Sequence, residues 1–246
     1  MTFWDRFFIE LQYLLGRLAV VVTVPLIFLA IRLFGYRIRD VRKVRAEIAR
    51  LQEAHEGPWL ICPNHLTMID SALISYGMLS FTGHMLHFRR VAWNLPERDN
   101  FQRNLILATL CYLAKCLPVN RCGNRDELQK VLEKCRYLLG KKQSLMIFPE
   151  GGRSRVGRVD RENYSYGVGR FVEECPNVRV LLVYLRGDGQ KEYGNLPRFG
   201  ERFTMAVESF DPGREEGSGL RVQREYARRI VERLADLEDR YFAPPG

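Results

Sequence analysis

The sequence predicts an α/β fold with a central, mostly parallel sheet flanked by helices, preceded by an amino-terminal membrane-associated helical segment. Short apolar segments of strand length alternate with longer segments of helical periodicity, which is typical of a sheet covered by helices on both faces. A long apolar stretch precedes this alternation. We therefore expect a membrane-associated segment with an amphipathic linker helix in residues 1–56, and one α/β domain in residues 57–246.

The composition indicates a folded, basic protein. With 46% apolar and 27% charged residues the chain is not expected to be disordered, and 246 residues are enough for one sizeable core. The 38 Lys and Arg exceed the 29 Asp and Glu, which gives a net charge of +9. Such an excess favours anionic partners (nucleic acid, acidic lipid, a phosphorylated substrate or an acidic carrier protein), although a basic surface without a partner has the same charge. No nucleic-acid partner is expected, because no recognised binding motif occurs.

The apolar stretch covers residues 11–34, and Arg17 and Arg32 are its only charged residues. Its uncharged core, residues 18–31, is shorter than the roughly 20 residues of a spanning helix, but the flanking arginines can reach the headgroups. Pro25 would kink a helix and suits a shallow hairpin that enters one leaflet. The alternative is a buried core helix of a soluble protein.

A basic cluster follows the apolar stretch, with Asp40 and Glu47 as its neighbouring acids. Clusters of this kind lie on the cytoplasmic, anionic surface of membranes. We therefore expect the protein to lie on the cytoplasmic face of a membrane, in contact with lipid. The cluster consists of Arg37, Arg39, Arg42, Lys43 and Arg45.

The remaining elements are predicted in chain order from periodicity and from turn residues. An amphipathic helix contains Val41, Val44, Ile48 and Leu51 on one face. Apolar segments predict a short strand ending in a turn at residues 58–64, a strand and loop at 117–121, and a strand running into a glycine turn at 144–152. Two further strands are predicted at residues 178–187 and 202–210. Helical periodicity predicts helices from about residue 70 and at residues 101–115, 124–140 and 220–242.

Two of these helices have additional signals. Asn124 with Glu127 resembles a capping box, and Gly140 is a typical helix stop. The last helix is expected to cover the core, with charges of both signs on its outer face. Its predicted buried residues are Tyr226, Ile230, Leu234 and Leu237.

No metal or cofactor is expected. The six cysteines contain no Cys-x-x-Cys pair, and His84 and His87 lie far from any paired cysteines, so a zinc site is not predicted. We expect reduced, mostly buried thiols in a cytoplasm-facing protein.

The segment NHLTMID, residues 64–70, places a histidine and an aspartate after a predicted strand. Neutral imidazole can accept a proton from a hydroxyl, and a carboxylate on its other nitrogen fixes the tautomer and stabilises the imidazolium. The pair requires His65 in the loop and Asp70 in the first helical turn. A turn histidine followed by an ordinary helix-start aspartate is the alternative.

The segment FPEGGRSR, residues 148–155, closes another predicted strand. Gly151 and Gly152 allow the backbone to approach a ligand, and exposed amides there bind oxyanions. Arg153 offers a forked donor that matches phosphate, and Glu150 could orient that arginine or hold a substrate hydroxyl. Arg121 at the end of LPVNR could add a second phosphate contact. Ligands of open α/β sheets bind at the carboxyl ends of strands, where these segments are predicted to meet.

Together the three segments resemble the motifs of the glycerolipid acyltransferase family, which includes the lysophosphatidic acid and glycerol-3-phosphate acyltransferases. His65 and Asp70 match its His-x4-Asp box, LPVNR with Arg121 resembles its second block, and residues 148–151 match its Phe-Pro-Glu-Gly block. The resemblance runs from about residue 58 to residue 187. Two departures from the family motifs concern the acceptor. The third block continues as GGRSR, which is similar to the same block in the glycerol-3-phosphate and dihydroxyacetone-phosphate branch of the family. The fourth block, residues 181–187, lacks its usual proline.

The resemblance implies an O-acyltransferase of phospholipid biosynthesis that acts on a lysophosphatidic-acid-type hydroxyl. His65 would be the general base, and acyl-CoA or acyl carrier protein the co-substrate, with no further cofactor. The sequence contains no Gly-x-Ser-x-Gly elbow, so direct transfer is expected. The alternatives are glycerol-3-phosphate, another lyso-lipid or a glycan as acceptor, and a non-catalytic lipid- or membrane-binding protein.

Overall fold

The structure, a computed structural model, describes residues 1–101, 104–120 and 124–244. Nine α-helices lie in these ranges: α1 (Phe3–Leu33), α2 (Val41–Glu53), α3 (Asp70–Met78), α4 (Phe81–Leu86), α5 (Arg98–Phe101), α6 (Leu105–Leu113), α7 (Arg125–Gly140), α8 (Gly167–Glu174) and α9 (Leu220–Phe242). The strands are β1 (Arg37–Ile38), β2 (Trp59–Pro63), β3 (Trp93–Asn94), β4 (Leu145–Met146), β5 (Arg179–Gly187) and β6 (Arg202–Phe210).

The six strands of the described residues form one sheet in the order β1-β6-β5-β2-β4-β3. Strands β5, β2, β4 and β3 are mutually parallel, whereas β6 runs antiparallel to β5, and β1 pairs in parallel with β6. The predicted mostly parallel sheet is therefore confirmed. Because β2 and β4 are parallel neighbours, the loops that follow them leave the sheet at the same edge.

Helices cover both faces of this sheet, as predicted. Alternate residues of a strand point to opposite faces, so Leu60 and Leu182 pack with α7, α8 and α9, whereas Ile61 and Leu181 pack with α2 and α3. Helix α9 has the predicted bounds and buries all four of the residues expected to face the core. These two apolar layers hold the central strands rigidly between them.

Helix α1 is one continuous helix that contains Pro25, and it does not form a hairpin. A stripe of residues at helical spacing is buried along most of its length, at Ile9, Gln12, Gly16, Val20, Thr23, Val24 and Ile31. At Gly16 a Cβ atom would lie 2.6 Å from the carbonyl oxygen of Leu113, so only glycine allows α1 to approach α6 this closely. The opposite side of α1 exposes apolar side chains, and the helix is long and apolar enough to cross a membrane.

Two predicted strands are shorter than the sequence suggested. Residues 117–120 form no strand and contribute one isolated bridge, between Glu97 and Val119. The N–H groups of Leu117 and Val119 donate to the carbonyls of Asn94 and Pro96, but Pro96 has no N–H to donate in return, which interrupts the ladder. Within residues 144–152, predicted as a strand running into a glycine turn, the strand ends at Met146 and the turn begins at Pro149, which lacks an N–H.

The predicted capping box at α7 is half correct. Asn124 caps the helix by accepting from the N–H of Asp126 (3.0 Å), but the carboxylate of Glu127 accepts from Arg98 (3.1 Å) instead of the cap. The division of the chain at residue 56 stays a prediction, although β1, which lies before it, pairs with β6.

Candidate active site

The candidate site begins where β2 ends, at Pro63. Nδ1 of His65 lies 3.0 Å from Oδ2 of Asp70, the first residue of α3. Asp70 is buried, and its Oδ2 also accepts from the backbone N–H groups of Leu66 (2.6 Å) and Thr67 (2.8 Å), while Oδ1 accepts from the Thr67 hydroxyl. Because these oxygens act as acceptors, the hydrogen between His65 and Asp70 lies on Nδ1. Nε2 of His65 therefore carries the lone pair.

Asn64 fixes the start of this loop. Its backbone N–H donates to the Val183 carbonyl (3.2 Å), its side-chain amide donates to the Leu185 carbonyl (3.0 Å), and its Oδ1 accepts from the Leu185 N–H (2.7 Å). Asn64 is buried, so these bonds compete with little water. The side chain thus extends the pairing of β2 with β5 by one residue and sets the position of His65.

The loop after β4 forms the second wall of the site. Leu60 of β2 pairs with Leu145 of β4, so the two strands end side by side. The imidazole of His65 stacks on the ring of Phe148, with 4.1 Å between centroids and 29° between planes. The N–H of Ser154 donates to the His65 carbonyl (2.9 Å). The loop after β4 therefore contacts both the ring and the backbone of His65.

Glu150 supports the backbone of the histidine. Its Oε1 accepts from the His65 N–H (2.9 Å), whereas its buried Oε2 has no partner among the described residues. Burial raises the pKa of the Glu150 carboxyl to about 8, and repulsion from Glu238 and Asp70 adds to that rise, while the backbone N–H groups of His65 and Asp160 oppose it. The carboxyl consequently holds a proton at neutral pH and can act as a donor through Oε2.

This shift predicts a pH-dependent stability. Between pH 4.5, the ordinary pKa of the group, and about 8, folded Glu150 keeps a proton that the unfolded chain has released, so rising pH favours unfolding. We expect the wild-type free energy of unfolding to fall over this window by up to about 1.4 kcal/mol per pH unit relative to Glu150→Gln, which stays neutral. Denaturant unfolding at several pH values measures the difference. The exposed Glu192→Gln serves as control, and equal slopes for all three proteins would contradict the assignment.

The two glycines of the second loop differ in their environment. Gly151 has a φ of +71°, a left-handed conformation that favours glycine, and its N–H donates to the Phe148 carbonyl (3.1 Å). Gly152 is exposed and has open space around it. Its N–H has no partner within the described ranges. Of the two amides proposed for oxyanion binding, that of Gly152 is therefore the available one.

Arg153 does not contact Glu150 in the way the sequence suggested. Its Nη1 donates to the Gly194 carbonyl and to Oδ1 of Asn195, at 2.9 Å each, and its guanidinium lies 5.6 Å from the ring centroid of Tyr193. Glu150 instead binds the His65 backbone, so the proposed Glu150–Arg153 orientation is replaced by the loop at residues 193–195. The guanidinium remains partly exposed and can still accept an anion with its other N–H groups.

The loop at residues 193–195 also packs on the histidine loop. The N–H of Gly194 donates to the Leu66 carbonyl (3.0 Å), and the N–H of Met68 donates to the Asn195 carbonyl (3.2 Å). Arg153 is thereby linked to the His65–Asp70 loop through residues 194 and 195, which form hydrogen bonds with both. Arg121, the other predicted phosphate contact, lies outside the described residues.

Two concave spaces adjoin the site. An apolar cavity of about 400 Å³ lies between α1, α3 and α6, and Met68 and Ile69 of the histidine loop contribute to its wall. A mixed cleft of about 800 Å³ contains Phe148, Glu150 and Gly151, together with Tyr164 and Arg170. Both volumes are typical of small-molecule sites. Neighbours of His65 line each space: Met68 and Ile69 of its loop line the apolar cavity, and Phe148, on which its ring stacks, lines the mixed cleft.

Sequence reasoning missed three residues that shape the site. Thr67 precedes Asp70 at the Thr-x-x-Asp spacing of a capping motif, a signal that was present in the sequence. Phe148 was part of a recognised block without an assigned role. Asn195 gave no signal, because it contacts Arg153 only through the tertiary fold.

Comparison with known proteins gives one positive result. The family model described as Acyltransferase matches residues 38–185, which is more than half of the chain. The comparison with curated proteins finds no match. The matched range includes His65, Asp70 and the loop at residues 148–155.

Proposed function

The chain belongs to the acyltransferase family, and from this membership and the site geometry we propose that it moves a fatty acyl group from a thioester to a hydroxyl of a lysophosphatidic-acid-type lipid. Membership supports acyl transfer in general, with an acyl donor and a lipid acceptor. The thioester, the acceptor and the roles of the residues form the proposal. The donor is acyl-CoA or acyl carrier protein, and the reaction belongs to phospholipid biosynthesis.

The observation that carries this proposal is the 3.0 Å contact between Nδ1 of His65 and Oδ2 of Asp70. It leaves Nε2 as an acceptor beside Phe148, which lines the mixed cleft, and in the loop whose Met68 and Ile69 line the apolar cavity. A positioned imidazole of this kind is suited to remove a proton from a hydroxyl.

In the proposed step, Nε2 of His65 takes the proton of the acceptor hydroxyl as its oxygen attacks the thioester carbonyl carbon. The C–O bond forms, the C–S bond breaks, and the thiolate leaves with the bonding electron pair. The imidazolium then returns its proton to the thiolate, so the products are an ester and a free thiol. Asp70 stabilises the imidazolium during the step, and the Gly152 N–H stabilises the oxyanion of the tetrahedral intermediate.

The surroundings suggest where each substrate lies. The apolar cavity is suited to a fatty acyl chain, because its wall consists mainly of aliphatic and aromatic side chains. Arg153 is suited to the acceptor phosphate, and Arg121 is proposed as a second contact. This arrangement would bring the hydroxyl to His65 while the acyl chain stays in the cavity, and positioning of this kind accounts for much of the rate in group transfer.

The membrane contact of the proposal has its own support. Helix α1 exposes apolar residues along its outer side, and α6 adds Leu105 and Ile106, which are also exposed. These side chains suit the boundary between headgroups and acyl chains. The basic cluster at residues 37–45 favours the cytoplasmic face.

A turnover assay tests the function. Purified protein in detergent is mixed with a long-chain acyl-CoA and, in separate reactions, with lysophosphatidic acid, glycerol-3-phosphate or another lyso-lipid. We expect free thiol and an acylated product in equal amounts, with lysophosphatidic acid as the best acceptor. A better rate with another acceptor would change the assigned substrate. Absence of product with every acceptor and with acyl carrier protein would favour a non-catalytic lipid-binding role.

Replacement of Arg153 tests the acceptor contact. Arg153→Ala is expected to raise the KM for a phosphorylated acceptor about tenfold, because it removes a charge-assisted hydrogen bond, with a smaller effect on kcat. Arg155→Ala removes an exposed arginine from the same loop and serves as the matched control. Steady-state kinetics against acceptor concentration give both constants. An unchanged KM in Arg153→Ala would assign the phosphate to other residues.

A further inference from the structure

A third concave space, which is polar, lies at the edge of the sheet opposite to His65. Its wall includes Trp59, which begins β2, Ser144, which precedes β4, and Arg89 of the short 3₁₀ helix Phe88–Arg90 before β3. Because these strands are parallel, their starting ends lie at the edge away from the histidine loop. The volume of about 560 Å³ is in the range of ligand sites. We call it the basic cavity.

Cations dominate the wall of the basic cavity. Arg17, Arg89, Arg90 and Lys142 contribute to it, whereas Glu56 is the one carboxylate among its described lining residues. None of these four cations forms an ion pair in the described part of the chain, although surface arginines elsewhere commonly do. Like charges held in one concave space repel each other, and a bound anion would remove that repulsion.

The positions of two of these cations are fixed by backbone carbonyls. Arg17 donates to the Met85 carbonyl, and Nη2 of Arg89 donates to the Lys141 carbonyl (2.7 Å). Each guanidinium has further N–H groups, so both can donate to an anion without losing these bonds. The arginines are therefore held in place before a ligand binds, which lowers the entropic cost of binding.

A buried polar group in the same wall also lacks a partner. Gln52 is more than nine-tenths buried, and its Oε1 has no hydrogen-bond partner within the described residues. An unpaired buried amide oxygen is costly, and a hydroxyl or an ordered water beside a bound anion would satisfy it.

The mouth of the basic cavity meets the apolar surface of α1. Arg17 lies on α1 between the exposed side chains of Leu14 and Leu18, and Leu86, which is 72% exposed, belongs to the cavity wall. A phosphate in the cavity would thus lie at headgroup level if α1 lies on a membrane, with room for lipid chains along these leucines.

From these contacts we infer that the basic cavity binds the phosphate group of an anionic ligand, at a site separate from the His65 centre. Two sources share this chemistry: the headgroup of an anionic phospholipid and a soluble phosphorylated molecule. Four cations against one carboxylate give the cavity a positive charge that attracts a phosphate group, and arginines match its oxygen geometry. The inference does not depend on the proposed acyl transfer, because binding can be measured without turnover.

The test compares Arg89→Gln/Lys142→Gln with wild type. Inorganic pyrophosphate is titrated by calorimetry into protein in detergent, and vesicles of phosphatidylcholine with or without phosphatidylglycerol are used for flotation. We expect the double variant to bind at least about tenfold more weakly in one or both assays. Arg214→Gln/Arg221→Gln removes the same charge from exposed positions before and at the start of α9 and is expected to bind as wild type does. Lys142→Gln alone, at an exposed side chain, should weaken binding severalfold and is suitable if the double variant unfolds.

Loss of pyrophosphate binding in the double variant would support a soluble ligand. Loss of binding to anionic vesicles alone, with no pyrophosphate binding by wild type, would support a lipid headgroup. Equal binding by wild type and both cavity variants would overturn the inference, as would an equal loss in the Arg214→Gln/Arg221→Gln control, or no binding of either probe by wild type.

Discussion

Replacement of His65 with alanine is expected to reduce kcat for acyl transfer by about 10²–10⁴-fold, which is the range that a general base contributes. Nε2 of this side chain is the proposed proton acceptor, because Nδ1 of the same ring lies 3.0 Å from the Asp70 carboxylate. Thiol release with saturating donor and acceptor measures the loss. A kcat within a few-fold of wild type would remove the proposed mechanism.

The fold is expected to survive this change, because the hydrogen bonds that hold the loop involve the backbone of His65. Its N–H donates to Glu150 and its carbonyl accepts from Ser154, and alanine retains both groups. The lost stacking on Phe148 and the lost bond to Asp70 should cost about 1–2 kcal/mol of unfolding free energy. His87→Ala, at an exposed histidine, is the matched control and should keep wild-type turnover. Unchanged flotation with lipid vesicles would show that His65→Ala still binds membranes.

Replacement of Asp70 with asparagine is expected to lower kcat by about 10²–10⁴-fold with little change in either KM. Oδ2 accepts three N–H groups, so the amide oxygen of asparagine must occupy that position and the amide nitrogen must face the Thr67 hydroxyl. The geometry can therefore persist, but the negative charge that stabilises the imidazolium is lost. Steady-state kinetics with both substrates separate the two constants.

Thr67→Val provides the matched comparison for this prediction. It removes the hydroxyl that donates to Oδ1 while the carboxylate remains, so it disturbs the position of Asp70 without removing its charge. We expect at most about a tenfold loss of kcat and about 1 kcal/mol of stability. If Asp70→Asn has the kcat of wild type, the proposed role of the negative charge is contradicted. If Thr67→Val loses as much kcat as Asp70→Asn does, the effect is assigned to the position of the Asp70 side chain alone.

The long elements of the fold could be predicted because their signals are local. Strand β6 and helix α9 have the bounds expected from apolar runs and helical periodicity, β5 begins one residue later than expected, and the helix at Asp70 begins where expected. The short elements could not be predicted in this way. The apolar pattern at residues 117–120 predicts a strand, but Pro96 in the facing segment has no N–H and interrupts the ladder. After Met146 the apolar pattern continues, but the pairing stops before Pro149, which also lacks an N–H.

Taken alone, the sequence determined the residue types of the site, its place at the carboxyl ends of two strands, and the acyltransferase family that the family model confirms. These features follow from residue order and periodicity, which are local properties of each segment. The tertiary structure decided the partners: Glu150 binds the backbone of His65, Arg153 binds the loop at residues 193–195, and four cations from three segments meet in the basic cavity. Such contacts join residues far apart in the chain, and only the packing of the whole sheet and its helices fixes them.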